Sequence, residues 1–284
     1  MTYWLLANSE AGDGQRGRNF WLDHLVGAGL ECPECRDIGD GRWPSEIQPG
    51  DVVMMAGGDG SANYGARVCV EKRAVLAVLP SGTANDFARN IGLPEDPDEL
   101  CRLIARGPRR HVDVARLGDR IFLNVAHVGL GTLPARESGG PKKKLLGRFT
   151  YVVELLRRVN ARRGFRAEIR CGKGYVRGRW LSIAVANGTS FGGGHEIPEA
   201  APDDGYLEVI AVRPRPLAQL LLTFVMVRLN REAPTRTSTL VHLKGKHCTV
   251  STRKPKTVTA DGDIVGKTPL DVSCQHQSLK VIAP

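Results

Sequence analysis

Residues 55–68 read MAGGDGSANYGARV, and they follow the apolar residues Val52, Val53 and Met54. An apolar run of this kind, bounded by turn residues, is typical of a strand buried on both faces. Glycine, aspartate and serine then take over, and a helix is expected over residues 62–72. The stretch therefore predicts a buried strand, a glycine turn and a helix, which is the repeating unit of a parallel α/β sheet.

The same pattern occurs twice more in the first third of the chain. Strands are predicted over Tyr3–Ala7 and Ala74–Leu79, and polar turns follow at Asn8–Gly12 and Ser81–Asn85. Ligands bind where the carboxyl ends of parallel strands meet, and glycine lets backbone N–H groups approach an anion there. Three ordinary tight turns are the alternative, but the shared position of the turns favours a phosphate site.

Asp59 lies inside the second of these turns. A carboxylate in a loop that binds phosphates repels its ligand unless a cation lies between them. Mg²⁺ bridging Asp59 and a nucleoside triphosphate is the simplest explanation, because phosphoryl transfer requires such an ion. The alternative is an aspartate chosen only for its turn preference.

The pattern changes after about residue 110. Short segments with alternating apolar and polar residues predict an antiparallel sheet or sandwich; they include 112–117, 167–170, 206–210 and 279–282. We therefore expect two domains, an α/β domain over residues 1–110 and a β-sandwich over residues 111–284. One helix is expected within the second domain, over about 145–161.

Composition limits the classes of partner. The 284 residues are 42% hydrophobic and 25% charged, with a formal net charge of +10. A basic excess attracts nucleotides, nucleic acid or an anionic membrane, although it can equally be a solvated surface. Aromatic residues make up only 6% of the chain, which disfavours binding of nucleic acid by stacked aromatic side chains. No nucleic-acid partner is expected.

The N-terminal residues lack the pattern of a signal peptide, and the longest apolar run, 217–227, is too short to span a bilayer. We expect a cytoplasmic protein with peripheral contact at the inner membrane face. The seven cysteines show no repeated paired spacing, so reduced thiols are expected. The region 142–166 carries nine basic residues, with apolar residues at helical spacing, and could form an amphipathic helix on anionic lipid or a packed helix with a solvated basic face.

Two segments together identify a family. Gly57–Ser61, with the sequence GGDGS, is also found in phosphofructokinases and NAD kinases, but Leu79–Arg89, with the sequence LPSGTANDFAR, narrows the resemblance. The chain resembles the bacterial diacylglycerol kinase-like lipid kinases, which are related to sphingosine and ceramide kinases. Further matches at 187–194, 202–207 and Asp261–Asp263 extend the resemblance over almost the whole chain.

The resemblance implies a phosphofructokinase-like α/β domain and a β-sandwich, with ATP between them. The implied ATP-binding residues are Asn8, Ser9, Glu10, Ala11, Gly12, Gly57, Gly58, Asp59, Gly60, Ser61, Ala62, Asn63 and Thr83. A second, structural Mg²⁺ would be held by the Asp204 carboxylate and the carbonyl groups of Ala201 and Tyr206. The family's catalytic carboxylate falls at Asp263, and Asp261 is the alternative base.

The resemblance implies an ATP- and Mg²⁺-dependent kinase that phosphorylates a hydroxyl group of a diacylglycerol-like or sphingoid lipid. The chain departs from the family pattern at Asp263, where the family has glutamate, and at Tyr64, where glutamate is common. Two alternatives therefore remain open: a non-catalytic sensor of nucleotide or lipid, and a kinase for a soluble substrate such as NAD. The acceptor lipid and the oligomeric state are not encoded in a readable pattern.

Overall fold

The computed structural model describes residues 1–7, 16–129, 132, 164–189, 197, 200–216, 219–220 and 239–284. These residues form two compact units, which are Met1–Val114 with Gln275–Pro284, and Ala115–Cys274. The division falls inside two strands, β5 (Arg109–Leu117) and β16 (Leu270–Ile282). The last ten residues of the chain therefore belong to the first unit.

The first unit is a parallel sheet with helices. Its strands lie in the order β2-β1-β3-β4-β16, and every neighbouring pair is parallel. The first four of these strands in chain order are β1 (Tyr3–Ala7), β2 (Glu34–Asp37), β3 (Val52–Gly57) and β4 (Val75–Pro80). The helices are α1 (Arg18–Gly27), α2 (Trp43–Glu46), α3 (Asp59–Lys72), α4 (Asp86–Asn90) and α5 (Pro97–Arg106).

Burial explains why the central strands lack polar residues. Every residue of β3 and β4 is buried, and parallel strands covered on both faces have continuous apolar sequences. Helix α3 packs on this sheet so closely that a side chain on Gly65 would overlap the Met55 side chain, with Cγ 2.3 Å from the added Cβ. The three strands predicted from the sequence in this region are confirmed.

The second unit contains two antiparallel sheets. Six strands lie in the order β12-β11-β10-β7-β14-β15, while β13, β8 and β9 extend from the first residues of β16. The strands are β6 (Arg120–Phe122), β7 (Val125–Gly129), β8 (Phe165–Cys171), β9 (Gly174–Trp180), β10 (Ser182–Ala186), β11 (Leu207–Val212), β12 (Leu240–Gly245), β13 (His247–Thr252), β14 (Thr257–Ala260) and β15 (Asp263–Lys267).

The core of the second unit is made by side chains from both sheets. Ile183 and Val209 from the six-stranded sheet pack in one buried cluster with Ile169, Val250 and Val272 from the other. Two sheets that share one apolar core form a sandwich. The expected fold class, an α/β domain followed by an antiparallel β-sandwich, is confirmed.

Two expectations need correction. The alternating pattern predicts that residues 279–282 belong to the antiparallel sandwich, yet Lys280 and Val281 pair in parallel with Val75 and Leu76 of β4. Alternation within a short segment does not reveal which sheet the segment joins, so the sequence could not show this return.

The second correction concerns Cys171 and Cys248, which form a disulfide instead of remaining reduced. They are 77 residues apart in the sequence, and the pairing of β8 with β13 places them directly opposite each other. Sequence spacing does not contain that register. No helix among the described residues is long and apolar enough to cross a membrane.

Candidate active site

The glycine turn after β3 is the start of helix α3. Gly58 is the N-cap residue, and Asp59 is the first helical residue. Because Gly58 has no side chain, it provides no capping hydrogen bond. The N–H groups in the first turn of a helix have no partner within the helix and carry a partial positive charge. Gly60, which lies in this turn, is exposed. The turn therefore presents backbone donors to an anion.

The turn after β4 packs against the turn after β3. Gly57 pairs with Pro80 in the sheet, and the Ser81 N–H donates to the Gly57 carbonyl at 2.9 Å. A Cβ on Gly82 would lie 2.6 Å from the Gly58 Cα. Only glycine permits this approach, and the expectation that these two turns share one edge of the sheet is confirmed.

Asp59 links the two turns. Its Oδ1 accepts a hydrogen bond from the backbone N–H of Phe87 at 2.9 Å, so α4 is fastened to the start of α3. Thr83 lies in the intervening turn with an exposed side chain. The carboxylate at this position therefore has a structural contact in addition to any contact with a ligand.

Asn85 shapes the second turn. It has a positive φ of 50°, which asparagine tolerates better than most residues. Its side chain accepts from the Gly82 N–H at 3.1 Å and donates to the Gly82 carbonyl at 2.8 Å. On the other side, Trp21 Nε1 donates to Ser81 Oγ at 2.8 Å. These contacts hold the turn in place without a ligand.

Tyr64 lies at a position where the family commonly has glutamate. Its ring meets the buried Trp43 ring edge-on, with the centroids 5.2 Å apart, and the Arg67 guanidinium lies 5.1 Å from the Tyr64 centroid. The tyrosine is therefore part of the packing between α2 and α3. The replacement substitutes a packing contact for a carboxylate.

The Asp-Gly-Asp motif of the second unit separates into two different carboxylates. Asp261 accepts from three consecutive backbone N–H groups, those of Leu123 at 2.7 Å and of Asn124 and Val125 at 3.0 Å. Asp263 begins β15 and is exposed. Within the described residues, the Asp263 carboxylate has no hydrogen-bond or ion-pair partner, in contrast to that of Asp261.

The Asn-Gly motif at residue 187 reaches the same backbone segment as Asp261. Asn187 Nδ2 donates to the Leu123 carbonyl at 3.2 Å, and its backbone N–H donates to the Asn124 carbonyl at 2.8 Å. Two motifs that are distant in sequence therefore hold one segment. The sequence showed both motifs but not their shared target.

The expected structural Mg²⁺ site does not fit the side chains around it. Asp204 Oδ1 accepts from the Tyr206 N–H at 2.9 Å, and Oδ2 accepts from Lys244 Nζ at 2.8 Å. An ammonium group thus occupies the carboxylate that was expected to bind the ion with Ala201 and Tyr206. Sequence reasoning missed Lys244 because it lies 40 residues away, on a neighbouring strand.

Several predicted features lie outside the described residues. They are the turn Asn8–Gly12, the basic region 142–163 and the glycines at 192–194. The predictions made for them stay predictions.

Comparisons with known proteins agree with this architecture. Residues 2–117 match the model of the diacylglycerol kinase catalytic domain, and residues 135–283 match that of the YegS C-terminal NAD kinase beta sandwich-like domain. A Bacillus anthracis diacylglycerol kinase structure covers 100% of this chain at a TM-score of 0.75 and 20% identity. A candidate diacylglycerol kinase from the same organism matches at a TM-score of 0.82 and 23% identity. Each match covers 97% of the solved chain. At these identities the structures support the fold alone.

Relatives in sequence carry kinase names. A protein of Cronobacter sakazakii named probable lipid kinase YegS-like is 38% identical over 59% of this chain and 59% of its own length. A protein of the same name from Chromohalobacter salexigens is 37% identical over 57% of this chain and 53% of its own length. The chain therefore spans little more than half the length of these relatives. A diacylglycerol kinase of Staphylococcus epidermidis is 27% identical over 87% of this chain and 79% of its own. Since the sandwich-domain model alone matches more than half of the chain, this chain belongs to the family of bacterial diacylglycerol kinase-like lipid kinases.

Proposed function

We propose that this protein is a lipid kinase that transfers the γ-phosphoryl group of ATP to a hydroxyl group of a diacylglycerol-like or sphingoid lipid. The observation that carries the proposal is the packing of the turn Gly57–Ser61 against the turn Ser81–Asn85. Gly58, the N-cap residue of α3, brings no capping side chain to this place. Family membership supplies the reaction class.

The two turns are suited to binding phosphates. The first-turn N–H groups of α3 can donate to phosphate oxygens, and the helix dipole favours the negative charge. Gly58 and Gly82 have no side chains to block this approach. We assign ATP binding to these turns, to Asn63 and Thr83, and to the turn Asn8–Gly12.

The donor chemistry at Asp59 fits an Mg²⁺ ion bound together with ATP. Magnesium is commonly held by one or two carboxylates and by the phosphates of the substrate, and Asp59 provides a half-buried carboxylate at the start of α3. When bound, the ion neutralises charge on the phosphates. Asp59 fastens α4 through Phe87 in addition.

We assign proton removal from the acceptor hydroxyl to Asp263. An aliphatic alcohol does not ionise at neutral pH, so a base must accept its proton as the new bond to phosphorus forms. Asp263 is exposed, whereas Asp261 already accepts from three backbone N–H groups. Of the two carboxylates, Asp263 is therefore the better base.

A lipid acceptor requires contact with a membrane, and we propose a peripheral contact from the cytoplasmic side. The net charge of +10 supports attraction to anionic lipid. Four arginines alternate along the hairpin of β8 and β9 and are exposed, namely Arg166, Arg170, Arg177 and Arg179. Charge reversal at Lys142, Lys143 and Lys144, compared with reversal at Arg177 and Arg179, will show which basic region carries binding to anionic vesicles.

Transfer of label from γ-labelled ATP into extractable lipid tests the proposal. Diacylglycerol, monoacylglycerol, ceramide and sphingosine would be offered in mixed micelles with Mg²⁺, and NAD would be offered as a soluble acceptor. Label in one lipid that is lost in Asp59→Asn and Asp263→Asn is the expected result. Label in NAD alone would replace the proposal with a soluble-substrate kinase. ATP binding without transfer to any acceptor would support the non-catalytic sensor, the alternative that the departures at Asp263 and Tyr64 leave open.

A further inference from the structure

The ammonium group of Lys244 bridges two carboxylates beside the loop 201–206. Its Nζ lies 2.8 Å from Asp204 Oδ2 and 2.8 Å from Glu208 Oε1. The Lys244 side chain is 37% exposed, whereas that of Glu208 is only 3% exposed. One cation therefore connects a loop carboxylate with a buried carboxylate.

Strand pairing places Lys244 in this position. Glu208 of β11 and Lys244 of β12 are direct partners in the antiparallel register. The other oxygen of Glu208, Oε2, lies 2.5 Å from His242 Nε2. The Lys244 ammonium also lies 5.3 Å from the centre of the Tyr206 ring, close enough for a cation–π interaction. The strand register thus places the Lys244 side chain beside Glu208 and within reach of Asp204.

The electrostatic environment keeps this ammonium charged and in place. Burial alone would lower the pKa of Lys244, but its hydrogen bonds to Asp204 and Glu208 outweigh that effect and raise the pKa above its ordinary value. If Lys244 moved away, the buried Glu208 would lose a cationic partner, which is unfavourable in a dry environment. An incoming divalent cation would have to displace the ammonium or lie beside it.

The loop itself offers little to such an ion. Mg²⁺ requires six oxygen ligands in nearly ideal octahedral geometry and holds its waters strongly. Both oxygens of Asp204 already accept hydrogen bonds, one from Tyr206 N–H and one from Lys244.

We propose that Lys244 takes the place of the divalent cation that the family resemblance implies at this loop, so that the loop 201–206 is held by an internal ammonium group and does not bind Mg²⁺. The inference goes beyond the proposed kinase reaction and does not depend on it. Its test uses the protein without nucleotide, so a failure of the kinase assay would leave its outcome unchanged.

Thermal unfolding of the full chain gives the first readout. Wild type should have the same Tm in EDTA and in Mg²⁺, because a site holding Mg²⁺ at 100 times its Kd would raise Tm by about 5–10 °C. Lys244→Met should lower Tm by about 4–10 °C, because the buried Glu208 loses its lysine partner and keeps only the contact with His242. Lys246→Met is the matched control, because Lys246 lies beside the same Tyr206 ring, at 5.7 Å. A Tm unchanged by Lys244→Met would overturn the proposal.

Direct metal binding gives the second readout and does not require the Lys244 variant to fold. Wild type would be titrated with Mn²⁺, a probe for sites that bind Mg²⁺, and compared with Asp204→Asn. Equal binding in the two proteins is expected. A saturable Mn²⁺ site in wild type that disappears in Asp204→Asn would show that the loop binds a divalent cation despite Lys244, and the proposal would fall.

Discussion

The first unit and the second unit each use two aspartates in opposite ways. Asp51 in the first unit accepts from the backbone N–H groups of Thr2 at 2.7 Å and Gln48 at 3.0 Å, and from Trp4 Nε1 at 3.2 Å. Asp261 in the second unit likewise accepts from three N–H groups. These two carboxylates fasten chain segments together.

The other aspartate of each unit lies at a strand or helix end near glycine. Asp59 begins α3 and Asp263 begins β15, and the proposed reaction uses both of them. Asp261 and Asp263 are separated by a single glycine, so sequence context does not distinguish the structural group from the candidate base. The number of backbone donors around each carboxylate makes the distinction, and it can be tested.

The largest effect is expected at Asp263. Replacing it with asparagine removes a base but no described contact, so kcat should fall by about 10²–10⁴-fold while Tm stays within about 1–2 °C of wild type. Asp263→Glu, which restores the family residue, should retain activity. The measurement is lipid phosphorylation beside thermal unfolding. Full activity in Asp263→Asn would mean that another group accepts the proton.

For Asp261 we expect the opposite result, with a large loss of stability upon substitution. Asp261→Ala leaves the three N–H groups of Leu123, Asn124 and Val125 without their acceptor, so the free energy of unfolding should fall by about 3–5 kcal/mol. Denaturant unfolding measures this loss at neutral pH. If Asp261→Ala unfolds like wild type and is inactive, the roles of the two aspartates are exchanged.

Two glycine substitutions, Gly82→Ala and Gly60→Ala, form a matched pair with smaller expected effects on stability. Gly82→Ala would place its Cβ 2.6 Å from the Gly58 backbone, and the overlap should cost about 1–3 kcal/mol of stability. Gly60→Ala meets nothing within 4 Å and lies in a helix, so stability should rise by up to about 1 kcal/mol. Urea unfolding compares the two variants. Equal effects would show that the approach of the two turns is not tightly constrained.

The smallest effect is expected in the pH dependence of the stability that Asp51 contributes. Burial raises the pKa of Asp51, but hydrogen bonds from Thr2, Gln48 and Trp4 outweigh it and leave the pKa below its ordinary value. A lowered native pKa stabilises the fold fully above the unfolded pKa of about 3.9, and this contribution is lost as pH falls through the native pKa. Asp51→Asn should therefore lower the free energy of unfolding most at pH 7 and less at pH 3, as measured by denaturant unfolding at the two pH values. A cost independent of pH would contradict this account.

Much of the first unit could be predicted because its signals are local. The strands expected over 3–7 and 74–79 are found at Tyr3–Ala7 and Val75–Pro80, and the buried strand expected before the glycine turn is found at Val52–Gly57. Helix α3 begins at Asp59, three residues before the predicted start. The reason is that the glycine turn itself forms the first helical turn, which glycine's weak helix preference concealed.

The second unit was predictable as a class of fold but not in its pairings. Period-two alternation indicates a sheet, yet it does not say that Cys171 lies opposite Cys248 or that Glu208 lies opposite Lys244. Such pairs depend on register between segments that are distant in sequence. A one-residue shift would move every side chain to the other face.

By itself, the sequence determined the class of protein, because glycine turns after buried strands and the segment LPSGTANDFAR are contiguous patterns. Tertiary structure decided what each charged group does. Asp261 became a structural acceptor and Asp263 an exposed carboxylate, although only Gly262 separates them, and Lys244 became the partner of Asp204 from 40 residues away. The physical reason is that the charge and reactivity of a carboxylate depend on its nearest donors and cations. Those neighbours are brought together by strand register and not by chain order.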